Sequence, residues 1–523
     1  MNGVVRQRKE GSLKDNQKSG FNKDNIIKLF LLICTVAVLS LSMVCNRGLP
    51  PRAIAGTSFI IALLLVILYR DLMRYKPSIY KDYRLILLIG TLLSGNLILS
   101  RGFYYILEGF SEWLGNIPSQ LLIYAIPLAV GPMLTALLID IHTAIVVSVI
   151  TSLLGGLWLG NPSYSIFTFV AGVTGAFGVI RCKRRSAIWR AGLFVGLVGA
   201  FTSLTITLLG VRFLSLETPL SAGVAFLNGI IVATLVSASL PLLEHFFRRT
   251  TDISLLELLD LDQPLLRNLL VVAPGTYHHS IIVGNLVESA AEAVGVNPLL
   301  ARVSAYYHDI GKIKMPEYFI ENQTAPISKH DTLTPHMSSL ILISHVKEGV
   351  ELAMEHKLPE SIIDIIQQHH GTSLITYFYQ KAKAEHGDTA SSLTDEDFRY
   401  PGPKPRTRVS ALILMADAVE AASRVLTDPT PSRVSALVNR IVDHFLIDGQ
   451  LNDCELTLKD LQEVKKHFIY ILNSIFHRRI SYPGFEIKDE DSDKEPAKAE
   501  TSKQDKDKKG SPKDPFPLRT IYG

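Results

Sequence analysis

His308 and Asp309 stand side by side in Tyr307-His308-Asp309-Ile310-Gly311-Lys312. An adjacent imidazole and carboxylate can ligate one metal ion from two side chains, and the carboxylate can bridge to a second ion. Other such groups lie within reach along the chain. His279 lies 29 residues before His308, and His345 lies 36 residues after Asp309. His369, His370 and Asp417 complete a set of seven imidazoles and carboxylates. Seven such groups suffice for two divalent metal ions with room left for water, an arrangement suited to metal-assisted phosphodiester hydrolysis. Imidazole and carboxylate ligands suit Mn or Fe better than Ca, and no thiolate is present to demand zinc. Lys312, four residues after His308, is a candidate to meet substrate phosphate. The remaining histidines, among them His278, His330, His336, His356 and His386, read as ordinary hydrogen-bonding side chains.

These groups must be held by helices. Val283, Leu286, Val287, Ala290, Ala291 and Val294 form an apolar stripe of helical period, and His279 falls four residues before Val283 on the same stripe. A histidine aimed at a helical core needs a partner. Ser361 to Ile366 starts another helix, with His369 and His370 at its C-terminal end and Gly371 as its cap. Ile413, Asp417, Glu420 and Arg424 share one face of a later helix, where a buried carboxylate is costly unless paired or metal-bound. No alternating strand pattern of any length occurs. The fold class expected is therefore all-α.

The 523 residues divide by composition. Residues 1–26 are a basic lead, expected to be cytoplasmic. Residues 27–45 are a first membrane anchor, too long an apolar run for a cleaved signal. Residues 53–243 are strongly apolar, 244–274 a linker helix, 275–485 a soluble helical bundle, and 486–523 a charged tail expected to be disordered. Eight apolar runs are long enough to span a bilayer, near 27–45, 53–70, 84–101, 119–138, 142–160, 164–181, 190–210 and 221–243. Arginine and lysine in 71–83 and 181–190 put those loops in the cytoplasm, and eight spans put both termini there too. Few ionisable groups interrupt the spans, which disfavours a transporter. Asp140 and His142 read as a solvated turn, and Asn96 and Asn228 as bonding neighbouring helices. The net charge of +4 is small for this length, and the lysines of the tail read as solvated, so no nucleic acid polymer is implied. Four cysteines without a C-x-x-C pair argue against a disulfide framework or a thiolate zinc site.

Six ordered segments carry a family resemblance: Pro274 to Ser280, Tyr307 to Lys312, Ile343 to Val346, Gln368 to Thr372, Phe398 to Pro405 and Ala416 to Ala422. Over most of residues 25–485 the chain resembles the membrane-bound HD-domain phosphohydrolases, seven-transmembrane receptors with an HD hydrolase domain of the PgpH type. The resemblance implies that His279, His308, Asp309 and Asp417 hold one metal ion. It implies that Asp309, His345, His369 and His370 hold the second, with Asp309 bridging. It implies hydrolysis of cyclic di-AMP to the linear dinucleotide by a cytoplasmic domain of an integral protein of the bacterial cell membrane. Related cyclic di-GMP enzymes carry a Gly-Tyr-Pro element after their His-His; Gly371-Thr372-Ser373-Leu374 stands here instead, which favours the adenine compound. Arg399, Tyr400 and Lys404 are candidates for contacting the base. Family members usually carry a large extracytoplasmic domain after the first span, where this chain has only Asn46 to Arg52. Membrane lipid and the cyclic dinucleotide are the implied partners, and a homodimer is compatible with the sequence. The competing readings are a hydrolase of an alarmone or of cyclic di-GMP, and a membrane receptor that binds nucleotide without cleaving it.

Overall fold

The computed structural model describes residues 24–45, 50–113, 118–180, 182–209, 217–323, 328–386 and 394–476. The basic lead before Asp24, the link from Asn46 to Leu49 and the charged tail lie outside the described residues. The chain separates into two compact units, residues 1–257 and 258–523. Among the described residues there is no strand, only an isolated bridge between Leu374 and Arg399.

The first unit is a set of apolar helices: α1 (Asp24–Val44), α2 (Pro51–Tyr75), α3 (Tyr83–Trp113), α4 (Val130–Leu138), α5 (Ile141–Leu159), α6 (Pro162–Gly178), α7 (Ser186–Leu209) and α8 (Glu217–Phe247). Among the described residues, seven segments are long and apolar enough to cross a membrane, which marks a multi-pass membrane protein. The expected run at 164–181 corresponds to α6. Its 17 residues rise about 26 Å, a little less than the hydrocarbon thickness of about 30 Å. The segment Gln120–Leu138 is broken at Ile126–Ala129, so only its second part is the helix α4.

Helix α2 shows how such a unit differs from a soluble one. Ile61, Leu65, Leu68 and Leu72 face inward, yet the opposite face exposes Phe59, Leu63 and Ile67. An apolar outer face suits lipid, where packing rather than hydrophobicity joins helices. Helices α7 and α8 join by close packing of small residues: a Cβ on Gly229 would lie 2.2 Å from the Gly192 carbonyl oxygen and 2.4 Å from the Gly196 nitrogen. The break before α4 leaves backbone groups that side chains satisfy. Asn96 donates to Leu128 O at 2.9 Å and accepts from Gly131 N, and Asn228 donates to Ile126 O at 3.2 Å. Both asparagines thus bond across helices, as expected. Asp140 caps α5 by accepting from Thr143 N, lies 3.3 Å from Lys76, and its neighbour His142 meets Asp71 at 2.8 Å. That turn is therefore tied down by an ion pair and a hydrogen bond.

In the second unit, α9 (Pro264–Val272), α10 (Pro274–Ala293), α11 (Pro298–Tyr307), α12 (Pro335–Glu355), α13 (Glu360–Gln368), α14 (Thr376–His386), α15 (Arg408–Ser423), α16 (Pro431–Ile447) and α17 (Leu458–Ile475) form a helical bundle. The stripe of α10 is buried as its period requires, from Val283 to Ala291, against α15 and α17. Helix starts carry the expected chemistry: Pro follows the cap in α9, α10, α11, α12 and α16, and side-chain caps come from Asn297, Thr334, Thr407, Thr430 and Thr457.

Candidate metal centre

Five helices and one turn converge on a buried cluster. His279 comes from α10 and Asp417 from α15. His308 closes α11, and Asp309 opens the 3₁₀ turn Ile310–Lys314. His345 sits within α12, and His369 and His370 follow α13. All seven are buried. Gly371, at φ +54°, takes the left-handed conformation that ends α13 just past His370.

The turn carrying Asp309 approaches α12 closely because both partners are glycine at the crossing. A Cβ on Gly311 would lie 1.8 Å from His345 O and 2.6 Å from Gly349 N. Asp309 is thereby set beside His345. Its Oδ1 lies 3.4 Å from His345 Nε2 and 3.6 Å from His369 Nε2; its Oδ2 lies 3.2 Å from His308 Nε2 and 3.7 Å from His279 Nε2. Asp417 Oδ1 lies 2.9 Å from His279 Nε2 and 3.8 Å from His308 Nε2, while Oδ2 lies 3.6 Å from His370 Nδ1. The donor atoms form two groups, His279–His308–Asp309–Asp417 and Asp309–His345–His369–His370, each within 4.8 Å of one another and joined through Asp309.

The imidazoles are oriented by their other nitrogens. His308, His345 and His369 each direct Nδ1 to the carbonyl three residues earlier, on Ala305, Leu342 and Ile366, at 2.7, 2.5 and 2.6 Å. A carbonyl only accepts, so each Nδ1 carries a proton and each Nε2 can present a lone pair toward Asp309. His279 instead donates Nδ1 to Glu420 at 2.5 Å. A carboxylate behind a histidine fixes its tautomer and raises its basicity, the arrangement common behind metal-ligating histidines.

The electrostatics fit a cationic occupant. Burial opposes charge on Asp309 and Asp417, yet His308 and Lys312 hold the first, and His279 and His308 the second, well below the usual carboxylate range. Burial also opposes charge on His279 and His308, but the hydrogen bonds to Asp417 and Glu420 push His279 up to about 10, and Asp309 pushes His308 up to about 9. Without a metal ion, a second proton on His279 and on His308 would meet the carboxylates' demand for positive charge, a demand that a divalent ion meets instead through the deprotonated Nε2 atoms. On the other side, burial pushes His345 down to about 3 and His370 well below its ordinary value, leaving neutral lone pairs. His308 Nε2 and both Asp309 oxygens are buried without a well-formed hydrogen bond. Lys312 approaches Asp309 Oδ2 to 2.8 Å, but as a charge contact. Buried orphan donors of this kind fit divalent metal ions.

The cluster opens into a cavity of about 560 Å³. Tyr400 lines it, stacked on His370 with ring centroids 4.2 Å apart. Lys312 also lines it but is doubly engaged, at 2.8 Å from Asp309 and 2.9 Å from Glu321. The other two candidate base contacts lie elsewhere. Arg399 bonds Asp395 and Thr372 O and pairs with Asp448, and Lys404 donates to Gly449 O at 2.9 Å; neither lines the cavity. Arg399 precedes Tyr400 in extended chain and so points to the other side of it, while Lys404 is held by Gly449 O.

Two residues escape the sequence reading. Glu420 was visible only as sharing the face of Asp417. Glu321 gave no signal at all, because it lies in a short 3₁₀ turn. That turn is fastened to the start of α10. Thr276 donates its N–H to Asn322 and its hydroxyl to Glu321, and a Cβ on Gly275 would meet Glu321 O at 1.8 Å. The Pro274-Gly275-Thr276 segment therefore holds the acid that engages Lys312.

Residues 51–251 match the family described as 7TM receptor with intracellular HD hydrolase, and residues 276–422 match the HD domain. The chain carries both regions, in the order that the description of a 7TM receptor with an intracellular HD hydrolase gives them. Among relatives of this family, the cyclic-di-AMP phosphodiesterase PgpH of Bacillus subtilis is 42% identical over 368 residues, covering 69% of this chain and 51% of the relative. The protein of the same name from Listeria monocytogenes is 36% identical over 443 residues, covering 84% of this chain and 60% of the relative. The chain thus spans between half and 60% of the length of these curated relatives. A crystal structure of the Listeria monocytogenes PgpH HD domain in complex with cyclic di-AMP matches at 45% identity and TM-score 0.40, over 42% of this chain and all of that one.

Proposed function

We propose that this membrane-bound HD hydrolase is a metal-dependent phosphodiesterase that opens cyclic di-AMP to linear pApA at the cytoplasmic face of the bacterial cell membrane. The observation that carries the reading is the pair of four-residue donor groups joined through Asp309 beside an open cavity. His279, His308, Asp309 and Asp417 would hold one ion, and Asp309, His345, His369 and His370 the other. When bound, two such ions, Mn or Fe by ligand type, supply Lewis acidity toward the phosphodiester and a nucleophilic hydroxide at neutral pH.

The chain's own residues do the rest. The carbonyls of Ala305, Leu342 and Ile366 fix three imidazole tautomers, and Glu420 fixes the fourth. Lys312 balances the charge of Asp309 and is itself held by Glu321. Those contacts support a positioning role more than direct capture of phosphate. Tyr400 walls the cavity beside His370 with an aromatic face on which a base can stack. The names of the two relatives, and Gly371-Thr372-Ser373-Leu374 where a Gly-Tyr-Pro element would stand, favour adenine.

The test is hydrolysis of cyclic di-AMP, cyclic di-GMP and a guanosine alarmone by the metal-loaded protein, with products resolved by chromatography. Preferential conversion of cyclic di-AMP to pApA supports the reading. Preferential cleavage of either guanine compound, or binding without cleavage, overturns it.

A further inference from the structure

A cyclic dinucleotide carries two phosphodiesters, and a two-ion centre takes the one being cleaved. The second brings another negative charge into a cavity walled by Glu321, Asp417 and Glu420. Lys312 is a poor candidate to meet it, since Asp309 and Glu321 already engage its ammonium. Arg424 is better placed. It lines the cavity just past the end of α15, three, four and seven residues beyond Ala421, Glu420 and Asp417.

Its side chain runs back along the helix. Nε donates to Glu420 Oε1 at 2.6 Å, while Glu420 Oε2 accepts from His279 Nδ1. That fold-back brings the guanidinium roughly one helical turn, about 5 Å, closer to the level of Asp417. Nε is thus anchored to a buried carboxylate, and among the described residues neither Nη1 nor Nη2 makes a hydrogen bond or pairs with a second acid. The side chain is 41% exposed, so the free edge of the fork is open to a ligand although its base is fixed. A planar fork with two free nitrogens matches two oxygens of a phosphodiester.

We propose that Arg424 binds the second, non-scissile phosphodiester of the cyclic dinucleotide, an inference that rests on the phosphodiesterase reading above. It is a substrate-binding residue that sets the preference for diesters bearing two phosphates. Because Glu420 links it to His279, a positioning effect on the metal centre must be separated from binding.

Two substrates separate them. Cyclic di-AMP has two phosphodiesters, and bis(p-nitrophenyl) phosphate has one. Full-length protein, metal-loaded, is assayed on both, and the ratio of their kcat/KM values is compared among wild type, R424Q and R424K. Loss of a charge-assisted fork should lower the ratio roughly 10–100-fold in R424Q, chiefly through KM for the cyclic substrate. R424K, which keeps the charge and loses the fork, should fall less. Partial misfolding, or disturbance of His279 alone, scales both substrates alike and leaves the ratio unchanged. An unchanged ratio in both variants therefore overturns the proposal, and R424K carries the test if R424Q yields no folded protein. A wild type that cleaves the one-phosphate diester but not cyclic di-AMP overturns the substrate reading itself and, with it, this inference.

Discussion

Replacing Gly311 by alanine should disable the centre without touching a ligand. The added Cβ would lie 1.8 Å from His345 O, where an ordinary carbon–oxygen contact is about 3.3 Å, so the turn and α12 must part by about 1.5 Å. The opposing atoms are backbone, so no side-chain rotation relieves the clash. Asp309 sits two residues before Gly311, and its Oδ1 is 3.4 Å from His345 Nε2. A parting of that size dissolves the second donor group, whose atoms now lie within 4.8 Å of one another. Overpacking of this kind costs roughly 1–3 kcal/mol, a Tm lower by about 2–12 °C for a unit of this size. Misplacing reacting groups by about 1 Å can cost 100-fold in rate. Metal content measured on purified protein should fall from two ions per chain toward one, and turnover of cyclic di-AMP should fall at least about 100-fold with helical circular dichroism retained. G311A with two ions and wild-type turnover would refute the claim that this glycine contact sets the distance between Asp309 and His345.

Three further substitutions probe separate parts of the site. Asp309→Asn removes the group shared by both donor sets, so both ions and all measurable hydrolysis should be lost while the membrane helices stay folded; turnover retained in the purified variant would contradict the shared-ligand assignment. Glu420→Gln weakens the acceptor behind His279 Nδ1, and metal affinity or activity should drop about 10–100-fold; an unchanged metal titration would show that the carboxylate only packs. Lys312→Met leaves Asp309 and Glu321 without their cation, which should cost about 3–5 kcal/mol of stability in the metal-free protein, read from chemical denaturation. A variant as stable as wild type would mean that the lysine is there for substrate alone.

The candidate ligand set could be picked out in the sequence because its members fall on helices or at helix ends, which periodicity can read. His279 lies on the stripe of α10, Asp417 on a helix with hardly a polar neighbour, and His308 and His369 at helix ends, the latter marked by Gly371. The all-helical architecture and the apolar membrane half followed from the same signal. What periodicity cannot read is irregular backbone. Glu321 lies in a 3₁₀ turn fastened by Gly275 and Thr276, and no spacing rule connects residues 45 apart. Arg399 and Lys404 share the Phe398 to Pro405 segment with Tyr400, but Asp395 and Asp448 hold Arg399, and Gly449 O holds Lys404. Hydropathy likewise saw one run at 119–138, where Pro127 and the carbonyls held by Asn96 and Asn228 mark a break.

The most direct measurement takes full-length protein, purified without oxygen in lipid or detergent and loaded with Mn or Fe. Metal per chain is counted on the same sample whose conversion of cyclic di-AMP is followed by chromatography, alongside Asp309→Asn. The account predicts two ions per chain, metal-dependent formation of pApA, and loss of both in the variant. Turnover without bound metal, or two bound ions with cyclic di-AMP left intact, would contradict it.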